Sequence, residues 1–249
     1  MPTVLAIVPH PDDESYAFGG LLALLSNRGW RCVVHCASSG EGGQRHDGGP
    51  MGPEALARAR EGELATSCEI LGAEPPVCWR LPDGGLRERN EEGMRRTREA
   101  FKQEQPELVL TLGPDGAYGH PDHLAVHAWV RETRAAMAPG ERPALLFVAF
   151  SKGLFLPQWE KCRDMMGDPP NPPPGAIGTD SFDFDTDTAS VAERKLRAIG
   201  AHRTQLPGGD PHAIFPAGIV AALLDRERYV AADDASRAAV RELLGELAR

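Results

Sequence analysis

The sequence predicts an α/β protein whose mostly parallel, Rossmann-like sheet is covered by helices on both faces in three layers. Short apolar runs such as 4–8 and 108–112 alternate with helical segments along the first 150 residues. These runs end in turns rich in Pro, Gly and Asp, and no internal repeat or second boundary follows. We therefore expect residues 1–249 to form a single domain with its active site at the carboxyl ends of the strands.

The elements predicted up to residue 150 come from apolar spacing and from the residues that interrupt it. Runs rich in β-branched residues predict strands, and apolar residues at helical spacing predict helices. Pro53 and Gly72 bound one helix, because proline suits its start and glycine its end. The strands are predicted at 4–8, 31–38, 77–81, 108–112 and 144–150, and the helices at 15–28, 54–71, 88–105 and 120–137.

The last third of the chain has a weaker pattern. Gly167–Gly178 is a proline-rich loop that is too long for a simple connection, and no motif matches 207–232. Alternation of apolar and acidic residues at 182–187 is typical of an edge strand, and a helix is predicted at 188–201. Asp234 is expected to cap a final helix with an apolar stripe formed by Val240, Leu243, Leu244 and Leu247.

Composition excludes several classes of partner and location. A net charge of -9 argues against nucleic acid, whose phosphates are bound by clustered Lys and Arg. No segment approaches the roughly 20 apolar residues that a membrane span needs. Five cysteines without a C-x-x-C pair indicate a reduced, cytoplasmic protein, in which Cys32 and Cys36 are small core residues. The expected partner is a small molecule, and a homo-oligomer is left open.

The segment Pro9–Glu14 follows the first apolar run and contains one histidine and three carboxylates. Gathering these charges without a cation would be costly. His10 and Asp13 are three positions apart on this turn, and His123 follows a later strand in a similar turn. Two histidines and one carboxylate form a complete ligand set for catalytic Zn²⁺, and they also suit Fe²⁺ or another divalent metal.

Each of these residues also has a structural interpretation. An acidic residue at a helix start is often a cap, and Glu14 is expected to interact with the helix dipole or to support a ligand. His127 lies four residues after His123, as in H-E-x-x-H, but Leu124 occupies the position of the required Glu. We therefore expect His127 to pack in the core or to support a ligand.

The hexapeptide Pro-His-Pro-Asp-Asp-Glu, followed later by His-Pro-Asp-His, resembles the LmbE-like, or PIG-L, family of metal-dependent N-deacetylases. The resemblance extends to Lys195 and to His202-x-x-Gln205. It implies three metal ligands, His10, Asp13 and His123. It further implies that Asp12 is the general base. His120 matches a residue that stabilises the tetrahedral intermediate or protonates the leaving amine, and Asp122 matches a carboxylate that orients or charges that histidine.

The resemblance also implies a substrate site. Arg60 and Asp83 fall where family members hold sugar hydroxyls, and Tyr118 matches a tyrosine near the acetyl carbonyl. The function implied is a zinc-dependent hydrolase that removes acetyl from an N-acetylglucosamine moiety, in biosynthesis of a thiol of the bacillithiol or mycothiol type. Alternatives are an amidase of thiol conjugates and a deacetylase of another amino sugar, such as a chitin disaccharide. Outside the enzymes, a non-catalytic sugar-binding module would use the Gly-rich segment after Gly40 for recognition.

Overall fold

Buried apolar strands form a seven-stranded sheet in the computed structural model, which describes residues 1–248. Its order is β3-β2-β1-β4-β5-β7-β6. The first five strands in this order are parallel, whereas β7 runs antiparallel to both of its neighbours. The strands are β1 Thr3–Val8, β2 Arg31–Ser38, β3 Val77–Leu81, β4 Leu108–Thr111, β5 Ala144–Val148, β6 Phe184–Asp187 and β7 Arg226–Ala231.

Helices cover both faces of this sheet, as the sequence predicts. Successive residues of a strand point to opposite faces, so Val4 and Ala6 of β1 join one core and Leu5 joins the other. Helices α1, α2 and α7 contribute to the first core, and α3 and α5 to the second. The helices are α1 Asp13–Asn27, α2 Pro53–Leu71, α3 Asn90–Glu104, α4 Gly116–Gly119, α5 Pro121–Ala135, α6 Leu156–Cys162, α7 Ala192–Ile199, α8 Ile219–Leu224 and α9 Asp234–Leu244.

The order of the parallel strands reverses between β1 and β4. The chain moves outward from β1 to β2 and β3, and then returns to place β4 on the other side of β1. Such a reversal opens a crevice outside the carboxyl ends of the two strands, where ligands bind in open sheets. The turn after β1 and the turn after β4 therefore face each other, and they contain the two predicted clusters.

Most predicted elements are confirmed. Apart from the short helix α4, which is not predicted, the differences lie in the last third of the chain. Strand β6 lies at the edge of the sheet, as predicted, but β7, α6 and α8 are not predicted from the sequence. The expectation that Asp234 caps the last helix is wrong by one residue. Asp233 is the cap, because its extended backbone lets its carboxylate accept the N–H of Ser236 at 2.7 Å.

The opposite edge strand, β3, is irregular. Its pairing with β2 shifts register between Cys36 and Ser38, and Arg80 has a φ of 58°. Cys32 and Cys36 of the neighbouring strand are buried in the core, as predicted. Among the helices formed by residues 1–248, none is long and apolar enough to cross a membrane.

Candidate active site

The turn between β1 and α1 places the first cluster of predicted residues. Helix α1 begins at Asp13, so this carboxylate lies at the positive end of the helix. Its Oδ2 accepts the backbone N–H of His10 at 2.9 Å, and its Oδ1 accepts the hydroxyl of Tyr16 at 2.5 Å. The side chain of Asp13 is therefore held in one orientation before any ligand binds.

The turn between β4 and α5 places the second cluster. Pro121 is the first residue of α5, as predicted, and the side chain of His120 caps the helix. Nδ1 of His120 accepts the N–H of Asp122 at 3.2 Å, so the proton of the neutral ring lies on Nε2. Nδ1 of His123 lies 3.1 Å from the carbonyl oxygen of Gly116 and donates to it, which leaves Nε2 as an acceptor.

The two predicted histidine ligands each approach the carboxylate of Asp13. Nδ1 of His10 is 3.4 Å from Oδ2 of Asp13, and Nε2 of His123 is 3.4 Å from Oδ1 of Asp13. Nε2 of His123 is buried and has no hydrogen-bond partner among residues 1–248. A buried acceptor without a partner, beside a carboxylate, fits the donor set of a divalent metal.

His10 also belongs to two other groups whose ligand atoms lie within 4.8 Å of one another. One group adds His120 and His123, and the other adds Asp83 and Asp122. The two carboxylates of the second group have further partners: Asp83 accepts the N–H of Gly42, and Asp122 accepts backbone N–H groups of Gly84 and Leu86. The geometry thus supports a metal site around His10. Both the predicted ligands and these two further groups could supply its ligand set.

Asp122 differs from the arrangement that the resemblance implies. Its Oδ2 lies 3.2 Å from Nε2 of His10, and Oδ1 of Asp83 lies 3.1 Å from the same nitrogen. Among the described residues, the carboxylate of Asp122 makes no hydrogen bond to His120. The hydrogen bond to the His120 ring comes from the backbone N–H of Asp122, so the carboxylate does not orient His120 by a hydrogen bond. Its negative charge opposes the lowering of the His120 pKa, and the expectation that Asp122 orients or charges His120 stays a prediction.

Burial and charge shift the pKa values of these groups apart. Burial alone lowers the pKa of His10, but hydrogen bonds that its ring donates to the carboxylates of Asp122, Asp13 and Asp83 raise it well above its ordinary value. Burial and the neighbouring charge of His10 lower the pKa of His120 to about 2. Burial raises the pKa of Asp12 to about 7 against the opposing charge of Arg60. Groups with such separated pKa values mark functional sites.

The guanidinium of Arg60 contacts the first turn, and the expectation that Arg60 holds sugar hydroxyls stays a prediction. It is 4% exposed and donates to the carbonyl oxygens of Pro11 at 2.6 Å and Gly40 at 2.9 Å. It also donates to Oδ2 of Asp12 at 3.0 Å. Oδ1 of Asp12 has no partner among the described residues. Arg60 therefore fixes the carboxylate of Asp12 and leaves one oxygen of it available.

A cavity of about 260 Å³ opens above these groups. Its size is near the lower end of small-molecule sites, which span roughly 300–1,000 Å³. A larger groove near Arg98 and Pro143 lies away from the polar turns. The lining of the 260 Å³ cavity comprises His10, Asp12, Gly42, Gly43, Arg60, Asp83, Gly84, Tyr118, His120, Met165 and Gln205.

Two residues of this lining had no role assigned from the sequence. Gln205 belongs to the His202-x-x-Gln205 segment that resembles the family, so its spacing is a sequence signal for a site residue. Met165 lies in the loosely patterned last third, and no motif marks it. His127, the rival ligand, lies outside the cavity lining: its Nδ1 donates to the carbonyl oxygen of Leu112, and its ring packs against Phe147.

Comparison with known proteins agrees with this geometry. The family model described as PIG-L, GlcNAc-PI de-N-acetylase, matches residues 5–134. A 1D-myo-inositol 2-acetamido-2-deoxy-alpha-D-glucopyranoside deacetylase of Kineococcus radiotolerans is 30% identical over 82% of this chain and 68% of its own length. The chain belongs to the PIG-L family. A probable N-acetyl-alpha-D-glucosaminyl L-malate deacetylase 2 of Bacillus cereus is another relative, 29% identical over 81% of this chain and 83% of its own.

Solved structures share the fold of this PIG-L family member. The 4-carboxy-2-hydroxymuconate hydratase GalB of Pseudomonas putida KT2440 matches with a TM-score of 0.69 and 20% identity, over 94% of this chain and 97% of its own. The N,N'-diacetylchitobiose deacetylase of Pyrococcus horikoshii matches with a TM-score of 0.61 and 23% identity, over 92% and 83%. Because these two proteins catalyse different reactions, the fold alone does not define the chemistry.

Proposed function

We propose that this protein hydrolyses the acetamide group of an N-acetylglucosaminide and uses a bound divalent metal ion to do so. The ion that we propose first is Zn²⁺. The observation that carries the proposal is the buried, unpartnered Nε2 of His123 beside Asp13, below a cavity at the switch point of the sheet. The names of both relatives describe deacetylation of a glucosaminide that carries a second group. We extend that reaction to this chain.

In this proposal His10, Asp13 and His123 hold the ion. A bound ion of this kind lowers the pKa of water from 15.7 to about 7 and polarises a carbonyl group. The contacts of Tyr16 and of the His10 backbone with Asp13 keep the carboxylate aimed at the site. Zn²⁺ and Fe²⁺ both suit these ligands.

Asp12 acts as the general base in this proposal. Arg60 holds Oδ2, and the free Oδ1 accepts a proton from the attacking water. The water oxygen forms a bond to the acetyl carbon, and the carbon–nitrogen bond then breaks. Asp12 returns the proton to the leaving amine, so the products are acetate and a free amino sugar.

His120 stabilises the oxyanion. Its Nδ1 is occupied by the N–H of Asp122, so Nε2–H is the group available to donate a hydrogen bond to the carbonyl oxygen as charge develops. Of the two roles that the resemblance implies for this residue, the geometry favours the stabilisation of the intermediate. Asp122 supports His10 through its contact with Nε2.

The remaining lining residues position the sugar. Asp83 and Tyr118 lie in the cavity wall, and we assign them to substrate hydroxyls and to the acetyl group, while Arg60 acts on Asp12. Met165 and Gln205 line the same cavity and would meet the second group of the substrate. We further propose that the protein acts in the cytoplasm, in a thiol pathway of the bacillithiol or mycothiol type.

A substrate panel tests the reaction. Metal-loaded protein is incubated with the inositol and malate glucosaminides of N-acetylglucosamine, with N,N'-diacetylchitobiose and with a thiol conjugate, and released acetate and amine are measured. We expect acetate from one of the first two. Release from the disaccharide or amine from the conjugate would favour the corresponding alternative. No acetate from any member would contradict the deacetylase proposal.

Metal analysis tests the ligand set. Protein purified without chelator should contain about one divalent ion per chain. His123→Ala and Asp13→Asn should each lose the ion, whereas the matched variant Asp83→Asn, which also removes a charge next to His10, should keep it. Retention by Asp13→Asn together with loss by Asp83→Asn would show that the second ligand group is the correct one.

A further inference from the structure

A group of buried polar side chains lies beneath the catalytic turn and has no part in the mechanism above. Glu14 of α1, Ser67 of α2 and His202 after α7 are all fully buried. Oε1 of Glu14 accepts the hydroxyl of Ser67 at 2.5 Å, and it lies 2.8 Å from Nε2 of His202. We call these three residues the Glu14 bracket.

The bracket is connected to the backbone of Asp12. The other carboxylate oxygen of Glu14, Oε2, accepts the N–H of Asp12 at 3.0 Å. On the far side of the same residue, the N–H and hydroxyl of Ser15 donate to the Asp12 carbonyl oxygen at 3.0 and 2.7 Å. The backbone of Asp12 is thus held at both of its polar groups.

Asp12 needs this support because its backbone is strained. Its φ is 127° and its ψ is -29°, a region that side chains with a Cβ rarely adopt. Such a conformation costs on the order of 1–3 kcal/mol and persists where the surroundings hold it. The direction of the carboxylate follows from this φ, so the bracket and Arg60 together set where the free Oδ1 lies.

We propose that the Glu14 bracket positions the general base. Glu14 acts through the backbone of Asp12, and Ser67 and His202 act through Glu14. The inference rests on the proposed function, because it takes Asp12 to be the base. Ser67 and His202 are 53 and 188 residues from Glu14 in sequence, so two distant segments of the chain are tied to the orientation of one carboxylate.

The contacts separate this role from metal binding. Among the described residues, the side chain of Glu14 makes no hydrogen bond to the side chains of His10, Asp13 or His123. Loss of the bracket should therefore leave the ion bound and reduce turnover. A misplacement of about 1 Å costs on the order of 10²-fold in rate.

A double-mutant cycle tests the proposal. Glu14→Ala is made in the wild type and in Asp12→Asn, and kcat, KM and bound metal are measured for all four proteins. We expect Glu14→Ala to lower kcat on the order of 10²-fold in the wild type, with KM and metal content nearly unchanged. In the Asp12→Asn background we expect less than about a threefold effect, because the base is already absent.

The matched control is Glu227→Gln. Glu227 is also a buried carboxylate that accepts backbone N–H groups of α1, those of Gly20 and Leu21, but it does not contact Asp12. Its effect on turnover should be the same in both backgrounds. If Glu14→Ala fails to fold, Ser67→Ala replaces it, because it deletes one hydroxyl and should give a smaller loss with the same dependence on Asp12.

Two results would overturn the inference in distinguishable ways. In the first, Glu14→Ala, or its replacement Ser67→Ala, lowers kcat equally in both backgrounds or loses the ion. Either outcome would mean that the bracket does not act through the base. An Asp12→Asn protein with full turnover would instead refute the assignment of Asp12 as base, and the bracket proposal with it.

Discussion

Helix α1 contacts two buried polar clusters, one at its middle and one at its first turn. At the middle, Nζ of Lys195 donates to Glu227 and to the carbonyl oxygen of Leu223, both at 2.7 Å. Glu227 also accepts the hydroxyl of Tyr229 at 2.6 Å and two N–H groups of α1. At the first turn, Nε2 of His123 and Nε of Arg60 have no hydrogen-bond partner within the described part of the chain.

The difference separates polar groups that hold the fold from those that meet a ligand. A buried polar atom without a partner costs about 1–3 kcal/mol, so a cluster that serves stability pairs all of its atoms. The first turn has unpaired atoms and the strained backbone of Asp12, which a purely structural cluster would avoid. Incomplete pairing together with a strained backbone thus distinguishes the candidate site from the Lys195–Glu227 cluster.

The largest expected effect is at the first turn. Asp12→Asn should keep the bound ion and lower kcat on the order of 10²- to 10⁴-fold, because it removes the proton acceptor and keeps the shape of the side chain. Steady-state kinetics with metal analysis on the same sample measure both. An Asp12→Asn protein with normal turnover would contradict the interpretation of the first turn as a catalytic site.

Substitutions in the cluster of Lys195 and Glu227 at the middle of α1 should change the stability of the fold. Lys195→Met leaves Glu227 as a buried charge without its cation and should lower the free energy of unfolding by about 3–5 kcal/mol. Urea unfolding at 25 °C measures the change. The double variant Lys195→Met/Glu227→Leu is the control and should recover much of the loss. An unchanged unfolding free energy in Lys195→Met would show that this pair does not hold the fold.

Strain at Asp12 predicts a smaller effect. Both Asp12→Gly and Asp12→Ala remove the carboxylate, but glycine adopts a φ of 127° without a Cβ clash. In metal-free protein, Asp12→Gly should therefore be more stable than Asp12→Ala by about 1 kcal/mol. Thermal unfolding of the two variants measures the difference. Equal stability would mean that the turn relaxes when the carboxylate is removed.

The ion pair between Arg134 and the partly exposed Asp233 should give the smallest effect. A hydrogen bond from Arg134 lowers the pKa of Asp233 to about 2, below the roughly 3.9 of an unfolded chain. The pair therefore stabilises the fold above pH 4, and this contribution is lost as pH falls from 4 to 2. With 39% of the Asp233 side chain exposed, it should be worth less than about 1 kcal/mol.

Unfolding free energies at pH 5, 4 and 3 check this sign. The control Asp233→Asn keeps an oxygen that can cap α9 and removes the charge. It should lose less stability than the wild type over this range. A parallel decline of the two proteins would mean that Asp233 does not titrate with the fold.

The sequence predicted the features that depend on local pattern. Strands β1 to β4 and the two polar turns follow from apolar runs and their boundaries, which lie close together in the chain. Strand β7 was not predicted, because its sequence Arg-Glu-Arg-Tyr-Val-Ala begins with three charges. Glu227 is buried there because Lys195, 32 residues away, neutralises it. That partner is known only after folding.

The same limit applies within the site. The residues that gather at the cavity were predicted, but their contacts were not. Arg60 binds Asp12 across 48 residues, and Asp122 meets His10 across 112. Asp233 and Asp234 are equally suitable caps by residue type, and the extended backbone of Asp233 decides between them. Residue type indicates which chemistry is available, and tertiary contacts decide which atom performs it.

The irregular edge strand β3 affects how the protein behaves at high concentration. A regular edge presents a row of free N–H and C=O groups on which another chain can pair. In β3, the shifted register and the left-handed Arg80 interrupt that row, and the Arg80 side chain reaches across to Glu61. The strand that leads to Asp83 is therefore a poor template for pairing with a strand of another chain, which should limit aggregation through this edge.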